Sequence, residues 1–141
     1  MKEYMQKKIG VLVILAVFFL GCAPATVQKL RENPTGQSSF ETNENYQSVY
    51  RKIVTNARRC YQGGMITAQM VVQGDLYTDI KKGNVSIALH GGLGISTYAN
   101  VDIEAITEDK TKVIIYYGMG SWEGITRVVE AWIKQGSDKC S

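Results

Sequence analysis

The apolar positions along the chain change period several times, and each change marks a structural element. An apolar run from Ile9 to Leu20 comes first. Between Thr42 and Cys60 the residues Tyr46, Val49, Tyr50, Ile53, Ala57 and Cys60 recur at steps of three and four. That spacing predicts a helix with one core-packing face. Arg58 and Arg59 suit its C-terminal end, where cations meet the unpaired carbonyls, and Gly63-Gly64 stops it. The period then falls to two. Ile66, Ala68, Met70 and Val72 alternate with Thr67, Gln69, Val71 and Gln73, predicting a first strand that runs on towards Ile80 with a bend at Gly74. Lys81-Lys82-Gly83-Asn84 reads as a turn, and Val85, Ile87 and Leu89 as a second strand.

The glycine-rich stretch His90-Gly91-Gly92-Leu93-Gly94 is expected to be a loop. Val101, Ile103 and Ala105 mark a third strand, and Val113, Ile115 and Tyr117 a fourth. The short connection Glu108 to Thr111 favours antiparallel pairing between them. Ser121 suits the N-cap of a final helix carrying Trp122, Ile125, Val128, Val129, Trp132 and Ile133 on one face, with Gly136 as its stop. The fold class is therefore α+β. We expect a two-layer sandwich of helix, four antiparallel strands and helix, with both helices on one sheet face.

The N-terminus has a different character. Residues 1–8 are basic, the apolar run after them is twelve residues long, and it ends in Phe19-Leu20-Gly21-Cys22. A bilayer span needs about 20 apolar residues, so this run has the length of a signal-peptide core. The small residue directly before a cysteine resembles the lipobox of bacterial lipoprotein precursors, although Phe19 stands where leucine is usual. The resemblance covers residues 1–22. It implies cleavage between Gly21 and Cys22, and acyl chains (palmitate among them) on Cys22 that hold the protein on a membrane. Several acyl chains are needed for lasting attachment, since each buried CH₂ contributes about 0.8 kcal/mol and one chain holds only marginally. Ala23 replaces the aspartate that in such lipoproteins favours the inner membrane, so for a Gram-negative cell the outer membrane, facing the periplasm, is expected. The alternatives are an uncleaved anchor and an ordinary secretory signal.

Three segments follow from this reading: a signal peptide at 1–21, a lipidated cysteine with a flexible tether at 22–39, and one domain at 40–141. Both prolines, Pro24 and Pro34, fall in the tether beside Gly36, Ser38 and Ser39. If flexible, it would reach about 20–25 Å.

Composition narrows the chemistry. The chain has 16 basic and 13 acidic residues, a formal charge of +3. Without Lys2, Lys7, Lys8 and Glu3 the counts are 13 and 12, or +1. Nucleic-acid binding thus lacks the basic patch it needs. Of three cysteines, lipidation of Cys22 leaves Cys60 and Cys140. In the periplasm a disulfide between them is expected, closing a loop that contributes on the order of 4 kcal/mol; two free thiols are the alternative. Two distant cysteines and one histidine lack zinc-site spacing, so no metal or cofactor is expected.

The candidate catalytic groups are weak. Gly118-Met119-Gly120-Ser121-Trp122-Glu123-Gly124 lies between a strand and a helix, but no strand follows to complete a dinucleotide-binding unit. His90-Gly91-Gly92 has the form of an oxyanion-hole loop without any Gly-x-Ser-x-Gly nucleophile motif. His90 is the only histidine, and Asp102 and Glu104 share one strand face, a pairing that would suit glycoside cleavage or merely a solvated surface. Trp122 and Trp132 match the helix core stripe. The sheet face away from the helices is expected to carry Thr67, Gln69, Val71, Ala88, Ile114 and Tyr116. By element order the domain resembles small α+β domains of accessory envelope lipoproteins, including those serving outer-membrane assembly, a likeness that transfers no residue role. The expected function is a non-catalytic interaction or scaffolding module with an envelope protein partner. A binding module for a small ligand, lipid or glycan, or an envelope hydrolase, are the alternatives.

Overall fold

The computed structural model describes residues 23–141. Its elements run in the order α1 (Val27–Glu32), β1 (Gly36–Thr42), α2 (Tyr46–Tyr61), β2 (Gly63–Met65), β3 (Ala68–Tyr77), β4 (Lys82–Gly91), β5 (Gly94–Thr107), β6 (Lys110–Tyr117), a 3₁₀ turn (Gly120–Trp122) and α3 (Ile125–Lys134). The strands form one antiparallel sheet in the order β1-β6-β5-β4-β3-β2. Among the described residues, no helix is long and apolar enough to cross a membrane.

The α+β character and the antiparallel sheet agree with the pattern of the sequence; the strand count does not. The sheet has six strands, and the two additional ones are its edges. β1 pairs with β6 from Gly36↔Tyr117 to Thr42↔Thr111. β2 pairs with the start of β3 through Gly63↔Met70 and Met65↔Ala68. The expected tether at 23–39 is likewise corrected: it holds α1 and most of the edge strand β1. The folded unit therefore begins before residue 40. Thr26 caps α1 by accepting from the Lys29 amide at 3.2 Å, which satisfies one of the free donors at a helix start.

Two helices cover one face, as the periodicity requires. α2 buries Tyr46, Val49, Ile53, Val54 and Ala57; α3 buries Ile125, Val129, Trp132 and Ile133. Against them the sheet presents Phe40, Val72, Val85, Ile87, Ala99, Val101, Ile103, Val113 and Ile115. Burial of one such aliphatic side chain contributes about 1.5–3 kcal/mol, so this layer is the main source of stability. Asn45 caps α2 through the Gln47 amide at 2.9 Å. Ser121 does not cap α3: it sits in the 3₁₀ turn, and the helix starts after Gly124 without a side-chain cap. Gly136 has φ +61 just past the end of α3, the left-handed conformation glycine adopts most readily.

The turns also shift from their expected places. β3 runs unbroken past Gly74 to Tyr77, and the chain turns at 78–81 with Lys81 at φ +53. The bend expected at Gly74 is absent because its missing side chain instead admits α2: a Cβ there would lie 2.7 Å from the Tyr50 hydroxyl and 2.8 Å from Val54 Cγ2. The glycine-rich stretch is not a loop. His90 and Gly91 end β4, Gly94 begins β5, and only Gly92 and Leu93 form the turn. Ile66, expected in the first strand, lies in the turn between β2 and β3.

Candidate functional site

The two sheet faces differ in what covers them. Register places Gln69, Val71, Gln73, Asp75 and Tyr77 of β3 opposite His90, Ala88, Ser86, Asn84 and Lys82 of β4, all pointing away from α2 and α3. β5 adds Thr97, Asn100, Asp102 and Glu104, and β6 adds Ile114, Tyr116 and Lys112. Of the residues expected on this face, Gln69, Val71, Ala88, Ile114 and Tyr116 are there, while Thr67 lies in the β2–β3 turn.

This face is not fully open, because α1 lies across its β5–β6 part. Leu30 of α1 is completely buried yet stands apart from the main core. Arg31 grips Asp102 with two hydrogen bonds, Nε to Oδ2 at 2.7 Å and a terminal nitrogen to Oδ1 at 2.5 Å. The bond to Asp102 is the main reason the Arg31 pKa rises above its ordinary value, against the opposing effect of partial burial. Asn100, also completely buried, donates from Nδ2 to Asp102 Oδ1 at 2.8 Å. Its Oδ1 accepts no hydrogen bond from the described residues. Tyr116 has its pKa raised, first by burial and then by the nearby Asp102 carboxylate. Upstream of α1, the Thr97 amide donates to the Pro24 carbonyl at 2.7 Å. The segment 24–32 is thus fastened to the sheet at both ends.

α1 divides the face into two shallow clefts. One, of about 160 Å³, is lined by Ala25, Val27, Val71, Gln73, Ala88, His90, Ile95 and Thr97. The other, of about 390 Å³, is lined by Arg31, Tyr77, Lys82, Asn84, Asp102 and Glu104. A third depression of about 510 Å³ lies outside the sheet, between α3 and the C-terminal tail.

Asp102 and Glu104 line the same cleft, but His90 is not brought near them. His90 pairs with Ile95 near one end of β4, whereas Asn84, six residues away, pairs with Asp102. At about 3.4 Å per residue, His90 and Asp102 are some 20 Å apart. Asp102 is engaged by Arg31 and Asn100, and Glu104 by Lys82 at 2.7 Å. Within that stretch only Gly118 serves packing: a Cβ there would come within 2.8 Å of Pro24 Cδ and 3.1 Å of the Thr97 carbonyl oxygen, whereas one on Gly120 or Gly124 would meet nothing within 4 Å. Trp132 is in the core and donates from Nε1 to the Lys139 carbonyl at 2.7 Å. Trp122 is half-buried between Tyr61 and Tyr98, each ring centroid 5.3 Å from its own. No group of three or more histidine, cysteine or acidic side chains suited to a metal occurs among the described residues.

Cys60 and Cys140 are at disulfide distance, with sulfurs 2.05 Å apart across a separation of 80 residues. The tail leading to Cys140 is held by Trp132, by Arg59 donating to the Asp138 carbonyl, and by the Tyr61 hydroxyl donating to the Cys140 carbonyl at 3.4 Å. Gly21 and Cys22, the expected cleavage and lipidation positions, lie outside the described residues. Sequence reasoning missed Arg31, Leu30, Asn100 and Pro24. Thr26, a good cap residue placed before Val27 and Leu30, was the one local signal that could have indicated a helix. Comparison of the chain with protein-family models and with curated proteins finds no match.

Proposed function

We propose that this chain is a lipid-anchored bacterial envelope protein whose domain acts by contact with an envelope partner and does no covalent chemistry. The anchor is Cys22, and the placement is the outer membrane, facing the periplasm. The observation that carries the reading is the segment joining that cysteine to the domain. Residues 24–32 are bound to the sheet through Pro24, Leu30 and Arg31, so the expected anchor connects to the fold without a long free tether. An anchor fastened in this way holds one side of the domain towards the membrane and presents the others at fixed angles. Such an arrangement serves recognition between membrane-bound proteins, where orientation limits productive encounter. The pairing of Cys60 with Cys140 fits an oxidising compartment.

The partner surface in this reading is the β3 margin of that sheet face, where the exposed Gln69 and Gln73 flank the half-buried Val71. A photo-crosslinking residue at Gln73, in the full chain in its native cells, is expected to give one discrete protein adduct. The same residue at Arg51, exposed on α2, should give none. Identical adducts from both positions, or none from Gln73, would reject the assignment. A second reading, a binder of a small ligand, lipid or glycan, is favoured by the cleft beside α1 that joins Arg31 to Tyr77 and Asn84. Titration of the purified chain with envelope glycans and lipids distinguishes it, since it requires saturable binding that Arg31→Ala abolishes.

A further inference from the structure

The ends of the sheet differ sharply in charge. Turns 66–67 and 92–93, the start of β1 and the end of β6 lie at one end. Turns 78–81 and 108–109 and the β1–α2 connection lie at the other. The second end holds Asp79, Lys81, Lys82, Glu104, Glu108, Asp109 and Lys110. The stretches 62–74, 83–101 and 113–122, which run along the sheet into the first end, contain no Asp, Glu, Lys or Arg. Charges close to this end stand beside the helices: Arg58 and Arg59 in the last turn of α2, Glu123 after the 3₁₀ turn, and Asp138 and Lys139 in the tail held by Arg59 and Trp132.

That uncharged end carries the most exposed apolar side chains of the described structure. Leu93 is 108% exposed, Ile66 100% and Met65 77%, with Ile95 at 48%, whereas the charged end exposes Ile80 at 58%, Tyr77 at 48% and Ile106 at 46%. Isolated exposed apolar residues are ordinary, but a group at one end of a domain marks a contact surface. The two tips adjoin: a Cβ on Gly91 would lie 3.5 Å from the Thr67 carbonyl oxygen. A shallow depression lined by Ile66, Thr67, His90 and Gly92 runs between them. Trp122 with Tyr61 and Tyr98 stands at the same end, and such amphipathic rings favour the boundary between lipid and water.

The course of the N-terminal segment says what covers this surface. From Arg31 back to Pro24 the chain moves along β5 from Asp102 to Thr97, towards the Leu93 turn. Residue 22 is two Cα–Cα steps before Pro24, hence within about 7.6 Å of it. Thr97 is four residues from Leu93, about 13 Å along the strand. We propose that the tips Met65-Ile66 and Leu93, with Ile95, rest in the interfacial layer of the same membrane to which residue 22 is attached. The acyl chains and the tips then act as two signals on one face, which converts attachment into a fixed orientation. Apolar side chains so placed enter about 5–10 Å into the boundary between headgroups and acyl chains.

The inference rests on the anchored reading, and separate measurements test the two. The full chain is prepared with Ile66→Trp, Leu93→Trp or Asp109→Trp, the last at the charged end, and reconstituted into phosphatidylcholine–phosphatidylglycerol vesicles. Vesicles with brominated and with ordinary acyl chains are compared, and the signal of the parent protein, with Trp122 and Trp132, is subtracted. Ile66→Trp and Leu93→Trp are expected to shift to the blue and lose fluorescence in brominated vesicles, while Asp109→Trp does neither. Quenching of the first two that does not exceed that of Asp109→Trp overturns the proposal. So does a blue shift without quenching, which means that a second copy or another protein covers the tips. The mass of the N-terminal peptide, measured on the same preparations, tests acylation of Cys22. An unmodified Cys22 removes the lipoprotein reading, while the quenching still decides where the tips lie.

Discussion

Replacing Leu30 with alanine separates a docked N-terminal segment from a loose one. The side chain is fully buried beneath α1, away from the main core. Truncating a buried leucine to alanine costs about 2–5 kcal/mol, depending on how far the site collapses. α1 has six residues, too few to persist as an isolated helix in water. Its other fastening, Arg31 to Asp102, is partly exposed and contributes at most about 1 kcal/mol. The largest single contribution to docking is therefore Leu30, and without it the segment should detach while the α2–α3 core stays closed. Hydrogen exchange of the full chain, read by mass spectrometry, is expected to show residues 27–32 losing protection in Leu30→Ala and keeping it in Leu30→Met. Protection across β4 and β5 should hold in both. Unchanged protection at 27–32 in Leu30→Ala would refute the assignment of Leu30 as the fastening. Simultaneous loss of protection throughout the sheet would mean that α1 belongs to the main cooperative core.

Substituting serine for both Cys60 and Cys140 opens a link spanning 80 residues, which the chain-entropy relation values at about 4.5 kcal/mol. The melting temperature should fall by about 10–20 °C, and a fall below about 3 °C would mean that the bond does not form. Gly74→Ala drives a Cβ into Tyr50 and Val54 and should destabilise by about 1–3 kcal/mol. Gly92→Ala, where nothing lies within 4 Å of the added atom, serves as the near-neutral control in the same denaturant titration. Glu41 has its pKa lowered by its hydrogen bond to Lys110 and then by that residue's charge. A carboxylate depressed in the folded state adds stability at neutral pH that disappears as the pH falls through its folded midpoint. An NMR titration should therefore find Glu41 below the ordinary glutamate range, and Lys110→Gln should return it there.

The readable parts of the fold were those in which burial repeats. Tyr46, Val49, Ile53 and Ala57 mark α2, and Ile125, Val129, Trp132 and Ile133 mark α3, because each helix presents one continuous stripe to the sheet. The inner strands alternate for the same reason. β1 escaped because an edge strand buries little: Phe40 is its only buried residue, and Gln37, Ser39 and Glu41 are exposed. Its Gly and Ser content then resembles a linker. β2 is Gly-Gly-Met, fully exposed, and carries no alternation. α1 buries Leu30 alone, too little to establish a period. The candidate site was half legible. Alternation showed which side chains share the outer face, but not that a segment 70 residues earlier would cover part of it.

Orientation follows from how that segment is attached. A flexible tether of the length expected from composition would let the domain tumble, and every surface would meet the proposed membrane about equally. Fastening Pro24 to Thr97 and Arg31 to Asp102 aligns residues 24–31, the segment that would lead from the proposed anchor, with β5. β5 has fourteen residues, and at about 3.3 Å each it extends some 45 Å. On the proposed seating the uncharged tips lie at the lipid, and the charged turns around Asp79, Glu108 and Asp109 stand at most a strand length above it. The clefts flanking α1 then open sideways between these levels. Desolvating formal charges at the lipid boundary is costly, whereas exposing them to water is not. The charge polarity of the sheet and the direction of the N-terminal segment thus favour the same orientation by independent physical routes.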